Sequence, residues 1–386
     1  MKSIRPVARG LPRPAAARDS RAVGFPCWVC PLLAVLAVCA HIAGTLAESR
    51  AGDGRGEPER LEVGEGEFHE GLCVWQLTKG YAFINRAGAP AFGKRYFACF
   101  AFREGIGAVW DYDEGWGYID HSSRRITDAK FSWGKNPIVS EGLAAVRELG
   151  GAGKWGFLSV NGAMSIGFRY DDVRPFSEGR AAVRIGGKWG YIDRKGTAVI
   201  APSFDEAGRF ASGLAPADSG GRWGLIDFAG RWAVKPEFDN LREVHEGLSA
   251  ALRGNKWGAV DGHGVAVIPF RYESIGSFSE GLACAELGGR WGFVASDGKV
   301  AIPFQFGSGS DFHEGVARVQ VPGDFVTPFG FVSHDGAMRI ECRYTYAKDF
   351  SEGLALVGDI VSGERYFINL RGEVALRPGR SMDGAR

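Results

Sequence analysis

Six of the Trp-Gly dipeptides in this chain mark a repeat, and the last five of these six follow one another at equal intervals of 34 residues. Their tryptophans are Trp116, Trp155, Trp189, Trp223, Trp257 and Trp291. A fixed period of this size indicates stacked copies of one supersecondary unit, because a single short copy cannot bury a core of its own. The period therefore sets the class of architecture, and it favours a binding or scaffolding surface over an enzyme.

A second landmark is a phrase in which an aromatic residue and one variable residue precede Glu-Gly-Leu-Ala, and it raises the count to nine units. The Glu-Gly step, or its Ser-Gly equivalent, begins at Glu70, Glu104, Glu141, Glu178, Ser212, Glu246, Glu280, Glu314 and Glu352. In the first, eighth and ninth units, Tyr81, Phe329 and Arg365 occupy the Trp position. Terminal repeats are expected to diverge, because each has a neighbour on one side only.

Each unit predicts about three short β-strands and no helix. In the fourth unit an apolar run at 181–183 precedes a Gly-Gly turn, and residues 188–193 alternate as a strand does. An Asp-x-x-Gly turn then leads to the apolar run 198–200. The predicted fold is therefore all-β, a tandem array of about nine three-stranded repeats.

The sequence is compatible with two arrangements of such an array. We favour an open β-solenoid or superhelix, since nine copies exceed the roughly four to eight blades of most propellers and a unit looks too short for four strands. The alternative is a closed toroid, similar to a propeller. Either arrangement presents a long modular surface suited to extended partners.

The repeated tryptophans are predicted to fill a core shared by adjacent units, because a residue present in most copies at constant spacing is usually required by the repeat itself. The Gly beside each Trp would let a neighbouring backbone approach closely or form a bulge. The competing interpretation is an exposed ladder of indole rings that stacks on sugars.

A basic residue stands directly before Trp in five consecutive units, and stacking would align these residues as a ridge. The basic ridge consists of Lys154, Lys188, Arg222, Lys256 and Arg290. One interpretation is an anion-binding stripe for cell-wall polymers, acidic glycans or lipid headgroups. The other is pairing with the Glu column of the repeats, at positions 178, 246, 280 and 314.

With these motifs in place, the chain resembles the WG-repeat, or KWG, family of bacterial proteins. The resemblance rests on phrases such as Lys188-Trp189-Gly190-Tyr191-Ile192-Asp193 and the phased Phe-Ser-Glu-Gly-Leu-Ala copies, and it covers nearly all of residues 64–376. It implies an all-β repeat array, often in an envelope or secreted setting. The family has no established catalytic residues, so the resemblance contributes no site.

The first 47 residues predict export or membrane anchoring. A basic segment precedes the uncharged, largely apolar stretch 25–43, which reads as a signal peptide, with Ala47 at a plausible cleavage site, or as an uncleaved anchor. Residues 48–63 are expected to form a flexible linker, 64–376 the repeat domain and 377–386 a disordered tail. The expected location is therefore secreted, periplasmic or otherwise in the cell envelope.

The repeats contain no nucleophile elbow, phosphate loop, HExxH motif or paired Cys/His metal spacing. We therefore expect no enzyme activity, no cofactor and no metal site. After the first 50 residues, 39 basic and 43 acidic residues remain, a balance that disfavours nucleic acid. The expected partners are proteins of the envelope, or alternatively a cell-wall polymer or acidic glycan, with membrane contact only through residues 25–43.

Overall fold

A computed structural model describes residues 66–127, 131–132, 138–150, 152–323, 328–359 and 362–378. The predicted signal or anchor segment 1–47, the linker 48–63 and most of the predicted tail lie outside these ranges. Within the described ranges, no helix combines the length and the apolar character needed to cross a membrane.

The described secondary structure consists of antiparallel β-strands, as the sequence predicts. The first three units contain β1 (Phe68–His69), β2 (Leu72–Gln76), β3 (Tyr81–Asn85), β4 (Ala98–Cys99), β5 (Ile106–Asp111), β6 (Gly115–Asp120), β7 (Phe131–Ser132), β8 (Val139–Ser140), β9 (Leu143–Glu148), β10 (Trp155–Ser159) and β11 (Met164–Tyr170).

The next four units have four strands each, in sequential order across the sheet. They are β12 (Asp172–Val173), β13 (Ala181–Ile185), β14 (Lys188–Ile192), β15 (Ala198–Phe204), β16 (Glu206–Ala207), β17 (Ala215–Asp218), β18 (Trp223–Ile226), β19 (Trp232–Phe238), β20 (Asn240–His245), β21 (Leu248–Arg253), β22 (Lys256–Asp261), β23 (Ala266–Tyr272), β24 (Ser274–Ile275), β25 (Leu282–Leu287), β26 (Arg290–Ala295) and β27 (Val300–Phe306).

The last two units share one seven-stranded sheet, because the long strand β31 is the last strand of the eighth unit and the first of the ninth. Its strands are β28 (Ser308–Gly309), β29 (Val316–Gln320), β30 (Phe329–Ser333), β31 (Met338–Ala347), β32 (Leu354–Asp359), β33 (Arg365–Asn369) and β34 (Val374–Leu376).

The prediction of three strands per unit is corrected to four for most units. In most of these units the additional strand is only two residues long, such as β12, and it lies just before the Glu-Gly step. It escaped the pattern because two residues are too few to show alternation. Glu-Gly then forms the hairpin turn that joins it to the next strand: Glu178 and Gly179 have φ of 51° and 74°. Positive φ at both central residues is typical of a type I′ turn.

The Gly of Trp-Gly lies where the backbones of two neighbouring strands come close together, as the sequence predicts. A Cβ on Gly190 would lie 2.5 Å from the carbonyl oxygen of Ile200, in the neighbouring strand. The same pair of strands shows a register shift between Trp189 and Tyr191. Both the close approach and the irregular pairing predicted from the sequence are confirmed.

The ninth unit contacts the first, so the repeats close into a ring. Phe68 is fully buried and its ring lies 5.1 Å from that of Phe367 in an edge-to-face arrangement. Leu354 and Leu376 of the ninth unit belong to the same core cluster as Ile84 of the first. The closed toroid is therefore correct, and the open solenoid that the sequence favoured is wrong. Side chains close the ring; the first and last sheets stay separate, so this is no closed barrel.

The short first strands lie at the inner edge of the ring. Arg209 follows β16, and Glu243 stands at the equivalent position within β20; their side chains meet at 2.7 Å across adjacent units. Equivalent positions come closest near the axis of a ring, which places this edge inside. The last strand of each unit, such as β15, is mostly exposed and forms the outer edge.

Candidate functional site

The Glu of each Glu-Gly hairpin links its unit to the next. Its carboxylate accepts hydrogen bonds from backbone N–H groups of the following unit's hairpin, at N–O distances of 2.6–3.3 Å. The linking residues are Glu70, Glu104, Glu141, Glu178, Glu246, Glu280, Glu314 and Glu352. Because an ionised acceptor strengthens a hydrogen bond, these contacts hold the units in register. We call this set the Glu ring.

The residue before Glu provides a second link in several units. Ser177 donates its hydroxyl proton to the carbonyl oxygen of Phe210 at 2.7 Å, and Ser279 does the same to Phe312. Ser351 reaches Phe68 across the closure at 2.6 Å. The Phe-Ser-Glu-Gly phrase, recognised in the sequence only as a repeat marker, is therefore the joint between units.

Basic side chains reinforce the Glu ring at some joints. Arg86 lies 3.0 Å from Glu352, and His334 lies 3.1 Å from Glu280. Each basic residue directly follows the strand that carries the Trp position of its own unit. These contacts orient neighbouring units and place no reactive group beside another that could activate it.

One joint of the Glu ring is missing, between the fifth and sixth units. Ser212 stands in the Glu position with φ of 53°, so the turn is preserved. The Ser side chain is too short to span the joint, and among the described residues no acceptor is found for the Gly247 N–H. Gly262 takes the position that Arg86 and His334 hold elsewhere. We call this joint the gap joint.

Four members of the basic ridge are paired. Lys154, Lys188, Arg222 and Lys256 contact Asp171, Asp205, Asp239 and Glu273, respectively. The expected partner was the Glu column, and this is corrected: the partner is the acid that follows the last strand of the unit. The remaining member, Arg290, is exposed and has Gly307 in the place of that acid, with no ion pair among the described residues.

Each partner acid has a second contact. Asp205 also accepts the backbone N–H of Gly220 at 2.8 Å, in the Gly-rich turn of the next unit. The hydrogen bond from Lys188, followed by that from Gly220, lowers the pKa of Asp205 below its ordinary value. The ridge cations are therefore part of the connection between units.

The repeated tryptophans lie in the core clusters between strands and between units. Trp189 is only 3% exposed and belongs to the cluster that contains Phe204 and Phe210. The five others are half-buried: Trp116, Trp155, Trp223, Trp257 and Trp291. Guanidinium groups cover some of the ring faces, such as Arg242 over Trp257 at 4.5 Å.

An exposed aromatic patch in the second unit was missed by the sequence reasoning. Phe97 and Tyr112 are 47% and 57% exposed. The Phe97 ring lies 4.5 Å from Trp110 and 5.8 Å from Tyr112, and Trp110 lies 5.0 Å from Trp116. Trp110 and Tyr112 stand outside the repeat positions. Aromatic residues at non-repeated positions were the sequence feature that could have indicated this patch.

The neighbouring acidic turn serves as structure. Asp111 is buried, contacts Lys94, and accepts the backbone N–H of Asp113 at 2.9 Å. Burial tends to raise the pKa of Asp111, but these contacts hold it below its ordinary value. Within the described ranges, no group of three or more His, Cys, Asp or Glu side chains could hold a metal ion.

Comparison with known families finds one match that spans most of the repeats. The model described as WG containing repeat matches residues 116–151, 155–189, 189–223, 223–257, 257–291, 291–323 and 329–358, which is more than half of the chain. No curated protein sequence matches the chain.

Several solved structures are similar in fold at low sequence identity. A eukaryotic initiation factor matches at a TM-score of 0.56 and 10% identity, over 78% of this chain and 94% of that one. The computationally designed protein Ika8 matches at 0.43 and 10%, over 70% and 94%. BamB from Moraxella catarrhalis matches at 0.42 and 11%, over 73% and 97%.

Proposed function

Because this chain belongs to the family of WG-containing repeat proteins, we propose that it is a non-enzymatic scaffold that binds protein partners in the cell envelope or outside the cell. The residues that recur in every unit are occupied by packing and by the joints of the ring. Binding is therefore left to side chains that individual units carry in addition. A rigid ring can present such side chains at fixed positions, which lowers the entropy lost on binding.

The observation that carries this proposal is the aromatic patch of the second unit. The exposed Phe97 and Tyr112 form a contiguous cluster with the half-buried Trp110, and no repeat position requires this cluster. Aromatic residues are enriched at the centres of protein interfaces, and Trp and Tyr dominate the energetically important positions. An exposed cluster of this kind is more informative than single exposed apolar residues such as Val265.

In-cell photo-crosslinking tests this proposal. A photoreactive residue at position 112 is expected to yield one discrete adduct with a protein partner, and Phe97→Ser is expected to abolish it. The control is the same probe at Val265, which is 61% exposed and outside the patch. Equal adducts at both positions, or none at 112, would contradict a partner bound at the patch.

Export to the envelope is part of the proposal and rests on the apolar stretch 25–43. Fractionation of cells that express the full chain should place it outside the cytoplasm. Sequencing of the mature N-terminus then separates the alternatives, since cleavage after Ala47 gives a chain beginning at Glu48, whereas an anchor retains the first residues. A full-length chain in the cytoplasmic fraction would overturn export.

Binding of an anionic glycan remains the second candidate function. The basic ridge offers it little free charge, because four of its five cations already contact carboxylates, and within the described ranges Arg290 alone lacks such a contact. The observation in favour of this candidate lies elsewhere, in a pocket beside Trp223 that contains an arginine with no carboxylate partner among the described residues.

A further inference from the structure

A pocket of about 320 Å³ lies near the inner edge of the ring, around the joint of the fifth and sixth units. Its lining includes Arg174, Pro216, Trp223, Arg242, Glu243 and His245. The volume falls at the lower end of the range of small-ligand pockets, roughly 300–1,000 Å³. It suits a single ring-shaped ligand unit.

Arg242 brings a charge to this pocket that the chain does not neutralise. Its guanidinium donates to the carbonyl oxygen of Ile275 at 2.6 Å and lies over Trp257. Among the described residues no carboxylate comes within ion-pair distance of it, although Asp311 attracts it from farther away. Burial lowers the pKa of Arg242, because the charged form loses water. Arg242 is exposed as a residue, so a ligand carboxylate can reach its guanidinium and supply the counter-ion that the described residues do not.

The other charges of the pocket are already paired. Arg174 contacts Glu206 at 3.2 Å. Glu243 is held by Arg209, whose backbone and guanidinium N–H groups donate to its carboxylate at 2.7–3.2 Å. The local excess of charge is therefore positive and is concentrated at Arg242.

Trp223 has a ring face that an arginine covers in two of its repeat equivalents, Trp189 and Trp257. Arg174 lies over Trp189 at 5.0 Å, and Arg242 lies over Trp257 at 4.5 Å. In the fifth unit Gly208 stands in the position of these two arginines. A Cβ on Gly208 would come within 2.5 Å of the Pro216 ring, so the packing itself requires Gly there. The indole of Trp223 is left to line the pocket without an arginine over it.

We propose that this pocket binds a uronic acid unit of an acidic glycan, with the carboxylate on Arg242 and the apolar face of the sugar ring on Trp223. Arg presents a planar fork that matches a carboxylate, and an indole offers a flat apolar surface. His245 and Ser277 supply polar groups for ring hydroxyls, which favours a sugar over an aromatic acid. The inference rests on the second candidate function and gives it a site other than the basic ridge.

Saturation-transfer NMR of the full chain with D-glucuronate tests the inference. We expect a Kd on the order of 1 mM, as for a ligand of about a dozen non-hydrogen atoms. Binding of D-glucose, which lacks the carboxylate, should be about tenfold weaker or more. Arg242→Gln should weaken glucuronate binding by a similar factor. Trp223→Leu should weaken the binding of both sugars. If Arg242→Gln does not fold, Trp223→Leu and the comparison of the two sugars still decide the matter.

The matched control is Lys299→Gln, which removes the same charge from an 83% exposed side chain outside the pocket and should leave the Kd unchanged. Retention on beads carrying a glucuronate-containing polysaccharide separates the remaining outcomes. Retention that survives Arg242→Gln overturns the pocket and leaves glycan binding in place. If the wild-type chain binds neither the sugar nor the beads, both the proposed pocket and glycan binding are overturned. Equal binding of glucose and glucuronate overturns the assignment of Arg242.

Discussion

Two joints of the ring can be compared: the closure between the ninth and first units, and the gap joint between the fifth and sixth. Their contacts differ in a way that their positions in the chain do not suggest. The closure joins residues 281 positions apart and has both hairpin contacts of the repeat: Glu352 accepts the Gly71 N–H, and Ser351 reaches Phe68. The gap joint connects consecutive units, yet Ser212 leaves it without the carboxylate link. The contacts at a joint are therefore set by the residues that meet there. Chain connectivity between two units does not replace those contacts.

The largest effect that tests this comparison is expected from Phe68→Ala. Phe68 is fully buried at the closure, so its truncation should lower the free energy of unfolding by about 3–5 kcal/mol. The matched variant at the gap joint is Val244→Ala, at the equivalent position, which should cost only about 2 kcal/mol because fewer methyl groups are lost. Urea unfolding of both variants measures the difference.

A small effect of Phe68→Ala would contradict the closed ring. In an open array the first unit has a neighbour on one side only and would fray while the remaining units stayed folded. Hydrogen exchange separates the two cases, since in a ring the loss of protection should extend to Leu354 and Leu356, which share the core cluster of Phe68.

Glu352→Gln should have the next largest effect. Gln keeps the size of the side chain but loses the charge that accepts from Gly71 and pairs with Arg86 at 3.0 Å. We expect a loss of about 1–2 kcal/mol, the range for hydrogen bonds to charged groups after some screening by solvent. Glu246→Gln is the comparison variant, because Glu246 accepts from the Gly281 N–H and has no ion pair among the described residues, so it should lose less. Equal losses would show that Arg86 adds nothing to the closure.

Ser212→Glu should stabilise the chain by completing the Glu ring. The backbone already holds positive φ at this position, as it does at the eight Glu residues, so the change adds no strain. A new hydrogen bond from the Gly247 N–H should contribute about 0.5–1.5 kcal/mol. The direct measurement is slower hydrogen exchange of the Gly247 amide, with Ser212→Gln as the uncharged control. Unchanged exchange in the Glu variant would mean that the two hairpins stand too far apart at this joint.

The sequence predicts the parts of this molecule that depend on period and on local backbone chemistry. The interval between tryptophans gives the units, and the Gly of Trp-Gly gives the close strand approach found at Gly190. Closure is not predictable in this way, because it depends on the small angle between neighbouring units added over nine copies. The short first strand of each unit is also missed, since two residues show no period.

The partners of the basic ridge were predicted wrongly for a related reason. Two acidic columns recur with the same period, one in the Glu-Gly hairpins and one after the last strands, and periodicity cannot say which of them meets Lys188. The structure places Asp205 there, because that acid follows Phe204, which pairs directly with Trp189 across the strands. The aromatic patch was overlooked because attention to repeated positions hides Trp110 and Tyr112, which are not repeated.

The smallest effect is expected at the ridge, where Lys188→Gln and Arg290→Gln form a matched pair. Both remove one exposed positive charge, but only Lys188 has a carboxylate partner, so only its loss should lower stability, by less than any change above. The pKa of Asp205 is lowered in the folded state, mainly by Lys188. The stabilisation by this pair is therefore present above the ordinary Asp pKa of about 3.9 and is lost as the pH falls through the lower folded value. Urea unfolding at neutral pH should distinguish the two variants, and the difference should shrink as the pH falls below the ordinary Asp pKa. A difference that persists under acid would mean that Lys188 acts through its packing and that the ion pair contributes nothing to the joint.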